Sequence, residues 1–197
     1  ALSKAIKNKV EIFRRFTELE KGQAAKDKLF TFANLHKAVS ELNEALFSLS
    51  IVGNEQVPII TAYWNVLSES IAEWRAVTDC PTDSEIAKKQ MLVHIEAYKK
   101  EGLAFHGGTL YCFGKLGAEL IAKNKEKANW FNYFSQKLET LSEFDFTKDN
   151  LKFWKGILSK SPSGKIKTIN SHDSRMALLT LLKQQIGLAP VQQEMKL

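Results

Sequence analysis

The sequence predicts an all-α, mainly helical fold: a bundle of about six helices with one small β-hairpin near residues 157–169. Three observations predict it. Apolar residues recur at alternating spacings of three and four through most of the chain. Only the stretch from Ile157 to Ile169 carries two β-capable runs around a Pro/Gly turn. The 197 residues are 44% hydrophobic and 25% charged, with four prolines and ten glycines, an ordinary globular composition. A chain of that length buries enough surface to need no disulfide or metal staple. We therefore read residues 1–197 as a single helical domain.

The elements follow in order. Thr31 is placed to cap a helix running through Phe32, Leu35, Ala38, Val39 and Leu42. Gly53-Asn54 then breaks the chain. Val57, Ile60, Trp64, Leu67, Ile71 and Trp74 form the seam of one long amphipathic helix over 55–77, with Pro58 in its first turn. That seam makes Trp64 and Trp74 core residues. Asp79-Cys80-Pro81 ends the helix, and Asp83 or Ser84 starts a short one. A helical run covers 94–123 despite Gly102, Gly107, Gly108, Gly114 and Gly117. At about 1 kcal/mol per helical glycine, this run needs a break near Gly107-Gly108 or a tight helix crossing. Gly114 and Ala118 share a face that would admit such a neighbour. Phe131, Phe134, Leu138 and Leu141 mark a helix over 126–142. Residues 147–155 read as a short helix opened by Thr147. Ile157-Leu158 and Lys165–Ile169 flank Ser161-Pro162-Ser163-Gly164 as the hairpin. Ser171 caps a last helix with Met176, Leu179, Leu182 and Ile186 inward. Gly187 ends it, and Pro190 can open a short tail helix.

Several function classes find no support. No apolar run is long enough to span a membrane, and no signal peptide is visible. The chain does not begin with Met, which suggests a cut or processed chain. The four histidines form no i+3 or i+4 pair, and the two cysteines lie 32 apart, so neither a metal site nor a cofactor is expected. No Walker-type loop and no GxSxG elbow occurs. Cys112, between Tyr111 and Phe113, reads as a buried small hydrophobe. No catalytic constellation emerges, so the expectation is a protein that is not an enzyme.

Charge is the positive clue. Residues 1–30 carry eight Lys/Arg against four acids, residues 31–146 eleven against fifteen, and residues 147–197 nine against three. Between Lys152 and Lys183, seven cations face the single acid Asp173. Lysines, small hydroxyls and a helix N-terminus are the groups that hold phosphates. Lys155, Lys160, Lys165, Lys167, Ser171 and Arg175 are the candidate DNA-backbone contacts. On a strand Lys165 and Lys167 share a face about 7 Å apart. The same lysines could instead solvate an edge hairpin. Trp154, among Lys148, Lys152 and Lys155, could stack on a base or pack under the hairpin, and packing is favoured.

These residues also carry a family pattern. Tyr63-Trp64 with Ile71-Ala72-Glu73-Trp74 resembles an aromatic-led helix ending in I-x-E-W in the DndB-like, DGQHR-type proteins of bacterial DNA sulfur modification (phosphorothioation). In the same order, Leu29–Ala33 is similar to that family's L-F-T segment, and Phe105-His106-Gly107-Gly108-Thr109-Leu110 to its H-G-x-x-L helix. Phe144–Asn150 with Trp154-Lys155-Gly156 is similar to its I-D-W…W-x-G-R segment. Gly164-Lys165-Ile166, Ser171 and Gly187–Pro190 with Glu194 resemble its end. His106, Gly107, Trp154 and Gly156 are thus family-motif positions. The namesake D-G-Q-H-R motif is absent, Phe146 replaces a tryptophan, and Lys155 and Lys165 replace arginines, losing bidentate geometry. The chain looks like the C-terminal half of a longer protein. The resemblance implies a bacterial, cytoplasmic DNA-binding and regulatory part of a phosphorothioation or related defence system. Its partners would be DNA and other DNA-modification proteins. The alternative is a scaffold that holds the modification enzymes without touching DNA.

Overall fold

The computed structural model describes residues 1–19, 27–124, 126–149, 151–168 and 171–190. It is 66% helical, with nine α-helices and two small two-stranded sheets among those residues. That is the mainly α class expected, with more and shorter helices than the six anticipated. The difference comes from breaks that periodicity does not show.

The first such elements are N-terminal. Helix α1 (Leu2–Lys9) and helix α2 (Glu11–Phe16) meet at Val10, which is extended. Strand β1 (Thr17–Glu18) pairs in parallel with strand β2 (Phe30–Thr31). Ile6, Val10, Ile12, Phe13 and Phe16 are all buried. Phe13 lies edge-on to Phe30, Trp64 and Trp74 at 5.5, 5.1 and 6.0 Å. Edge-to-face rings of this kind add stability beyond the area they bury.

Helices α3 (Phe32–Ser48) and α7 (Gly107–Lys123) form the centre. The Thr31 hydroxyl accepts the Asn34 N–H and caps α3. Gly114 of α7 lies against the Ala38 backbone, where a Cβ would come within 2.6 Å of the Ala38 carbonyl oxygen. Gly117 lies against the ring of Tyr63, whose hydroxyl donates to the Phe113 carbonyl. Lys115 bridges to Glu41 at 2.6 Å across the same crossing. The glycines therefore serve the tight crossing, and the break expected near Gly107-Gly108 falls just before them, at 102–106.

The seam over 55–77 is not one helix. Helix α4 (Gln56–Ser70) and helix α5 (Ala72–Thr78) are separated by Ile71, at φ −91° and ψ 115°. The Ser70 hydroxyl donates back to the Val66 carbonyl at 2.8 Å, a bond that bends helices. In an unbroken helix the two tryptophans would point roughly 80° apart. With the break they stack at 6.4 Å and 19°, both fully buried. Ser84 does cap a helix, but α6 (Glu85–Glu101) is 17 residues long and absorbs the start of the run placed at 94–123.

The helix expected over 126–142 is shorter. Lys127 and Asn129 adopt positive φ, so α8 (Trp130–Leu138) starts late and continues as a 3-10 turn over Glu139–Glu143. Phe131 is 58% exposed and is not a core residue. No helix forms over 147–155 among the described residues. The Asp145 carboxylate accepts the Thr147 N–H, Phe146 accepts from Leu103, and Lys148 donates to Glu101, so this segment ties back to the end of α6. Strands β3 (Leu158–Lys160) and β4 (Ile166–Thr168) form the hairpin, within the limits expected. Helix α9 (His172–Gln185) follows, with Leu179, Leu182 and Ile186 buried and Met176 half-buried. Asn150, Ile169, the tail helix after Pro190 and Glu194 lie outside the described residues.

Candidate functional site

The hairpin divides its cations between its two faces. In antiparallel pairing, residues directly opposite share a face. Ser159 pairs with Lys167 and Lys160 with Ile166, so Lys160 lies on the face opposite Lys167. Lys165 stands just before β4, at the same parity as Lys167. Lys155, Lys160, Lys165 and Lys167 are exposed, and among the described residues no carboxylate pairs with any of them. The Ser161 hydroxyl accepts the Lys165 N–H and contacts the Ser163 hydroxyl at 2.9 Å. Those hydroxyls hold the turn. Ser171 is similarly engaged: its hydroxyl accepts the Ser174 N–H while its own N–H donates to the Ser174 hydroxyl.

Trp154 is fully buried, and its indole N–H donates to the Thr147 carbonyl at 2.6 Å. It packs against Phe144 and Phe153, the core alternative weighed from its sequence surroundings. Gly156, at φ +80°, makes the turn that follows. These two family-motif positions shape the base of the hairpin.

Arg175 leaves the hairpin lysines and joins His106 and Gly107. A cleft of about 420 Å³ opens at the N-terminus of α7, lined by Asn34, Lys37, His106, Gly107, Gly108, Tyr111 and Arg175. His106 is the N-cap: its Nδ1 accepts the Gly108 N–H at 3.2 Å, which places the ring proton on Nε2. Burial, then the nearby charge of Lys148, holds the imidazole below its ordinary value, so it is neutral at pH 7. Gly107 packs against the Asn34 amide, which would have to move aside for a Cβ. The Arg175 guanidinium lies 5.5 Å from the Tyr111 ring centre, and the Lys115 ammonium lies 5.7 Å from it. The Arg175 carbonyl accepts the Cys112 thiol at 3.2 Å, and burial pushes that thiol up to about 12. A buried, protonated thiol is a packing residue.

Sequence reasoning singled out His106, Gly107 and Arg175 separately and missed Asn34, Lys37 and Tyr111. Asn34 and Lys37 are three apart on one helix, a spacing with no signal until the α3–α7 crossing sets them beside residues 106–111. The segments resembling a family do converge here. Phe30 touches Trp74 and Phe105 at 5.3 and 6.1 Å, and the Trp74 indole donates to the Ala104 carbonyl. Phe113 meets Phe146 at 5.9 Å. Four separated motifs thus pack together around α7.

Fold and site define a helical protein with an exposed basic hairpin beside a polar cleft lined by two cations. The family model for DndB, described as DNA-sulfur modification-associated, matches residues 1–189, so the chain belongs to that family. Membership implies a role in a DNA sulfur modification system. No curated protein and no solved structure matches. No helix among the described residues is long and apolar enough to cross a membrane.

Proposed function

We propose that this chain binds duplex DNA through its backbone phosphates as a non-catalytic, regulatory component of bacterial DNA sulfur modification, acting in the cytoplasm. The observation that carries the reading is the hairpin with its base: four exposed lysines, none with a carboxylate partner among the described residues, in a chain of this family. Lysine is a point charge on a flexible stem, suited to phosphates and poor at bidentate base recognition. Binding is therefore expected to be insensitive to base sequence. Its log K should fall by about 0.9 per phosphate neutralised for each decade of salt. Replacing Lys165 and Lys167 together by Ala should weaken all duplexes alike and flatten that slope by about 1.8. Gel-shift titrations at several salt concentrations measure both. An unchanged slope in the double variant, or a parent that binds no duplex at low salt, overturns the reading.

One observation favours the scaffold reading as a second. Ile86 and Val93, seven apart on α6, are 72% and 67% exposed. Apolar residues in that arrangement suit a protein partner, such as another DNA-modification protein. If the parent fails to bind DNA, this face takes precedence.

A further inference from the structure

Beyond the hairpin, the cleft at the N-terminus of α7 has the chemistry of a receptor for one anionic group. Two cationic side chains, Lys37 and Arg175, line it, and among the described residues no carboxylate does. The first turn of a 17-residue helix opens into it. His106 satisfies the Gly108 N–H, but among the described residues no acceptor reaches the Gly107 N–H. Helix N-termini concentrate partial positive charge and free donors, which favours phosphate.

Arg175 supplies an independent sign. Arg175 is half-buried, and its Nε is buried with no hydrogen-bond partner among the described residues. No carboxylate pairs with the guanidinium among the described residues, and it lies over the face of Tyr111. A buried guanidinium donor left unmatched is a costly arrangement, and native proteins match such donors with a partner or a ligand. The planar fork suits the tetrahedral oxygens of phosphate in a bidentate grip. Asn34, held against Gly107, adds an amide to the same wall, and the neutral His106 keeps its Nε2–H as a further donor. A volume of about 420 Å³ holds more than a bare ion: it suits a phosphate together with part of the sugar that carries it.

We propose that this cleft binds a single phosphate group, gripped by Arg175 and Lys37 against the first turn of α7. The site is separate from the hairpin lysines, so each can fail without the other. The same chemistry could come from free phosphate or from one phosphate of a DNA strand, and the test distinguishes them. Isothermal titration of the full chain with inorganic phosphate, at ionic strength fixed with sodium chloride, should show one saturable site. Arg175→Gln and Lys37→Gln should each weaken it at least tenfold. Lys37 is exposed, so its variant keeps the test valid if Arg175→Gln does not fold. The Lys165/Lys167 double-Ala variant should bind phosphate as the parent does. Phosphate that is displaced by a short duplex assigns the cleft to a backbone phosphate; phosphate retained in the presence of the duplex assigns it to a free one. Either outcome supports the site. No saturable binding by the parent, or binding unchanged in both glutamine variants, overturns it.

Discussion

Two tryptophans in one stack show how differently residues with the same burial can act. Trp64 and Trp74 are both fully buried. The Trp74 indole N–H donates to the Ala104 carbonyl at 2.9 Å, whereas the Trp64 Nε1 is buried without a partner. Truncating either to Ala empties a large volume and should cost roughly 3–5 kcal/mol. Phenylalanine separates them. Trp74→Phe also leaves the Ala104 carbonyl unpaired, a loss of about 1–3 kcal/mol on top of lost packing. Trp64→Phe removes an unmatched donor and should be the milder change. Urea denaturation of the two variants checks the order; a Trp64→Phe loss equal to or larger than that of Trp74→Phe contradicts it.

Among the elements, α7 carries the strongest constraint, and its glycines show why. By propensity alone, Gly114→Ala should stabilise a helix by about 1 kcal/mol. Here the new methyl would meet the Ala38 carbonyl oxygen at 2.6 Å and its Cα at 2.8 Å, and backbone does not move aside cheaply. Overpacking of about 1–3 kcal/mol should outweigh the propensity gain, lowering the urea midpoint. An unchanged or higher midpoint means that α3 and α7 are less tightly apposed. The same crossing explains what the sequence could and could not disclose. Thr31, Ser84 and Ser171 were readable as helix caps, two of them named outright and Ser84 as one of a pair, because a cap is a local bond between neighbours in the chain. The Pro/Gly turn of β3–β4 was readable for the same reason. The elbow at Ile71 was not, because no glycine or proline marks it and packing of the two indoles overrides the periodicity. The supposed helix over 147–155 failed because Thr147, a good cap by type, has its N–H taken by Asp145 and its carbonyl by Trp154. The cleft was half visible: His106 and Gly107 through a motif and Arg175 through charge, with only the fold to bring them to Asn34, Lys37 and Tyr111.

At the scale of the whole molecule, His106 couples stability to pH. Its folded-state value is lowered, by burial first and by Lys148 second. The unfolded chain therefore takes up the proton more readily than the folded one. The stability this confers is complete above about pH 6.5, the ordinary histidine value, and is lost as pH falls through the folded one. Protonation also removes the acceptor that caps the Gly108 N–H, beside the charges of Lys37 and Arg175. Glu73, raised mainly by burial, acts in the opposite sense. Comparison with His106→Asn, which keeps a capping acceptor and does not titrate, isolates the histidine. Urea midpoints between pH 7.5 and 5 should fall more steeply for the parent than for the variant. Parallel pH profiles would remove His106 from the account.

The N-terminal clamp has a different consequence. Residues 1–19 reach the rest of the molecule through Phe13, set among the rings of Phe30, Trp64 and Trp74, and through the β1–β2 ladder. These are the interactions of a core, yet one side of them belongs to α1, α2 and β1 alone. Folding must recruit that segment across more than fifty residues of chain before the indole stack is closed. The two pieces fit as plug and socket, a geometry in which their being on one chain sets the effective concentration at which they meet.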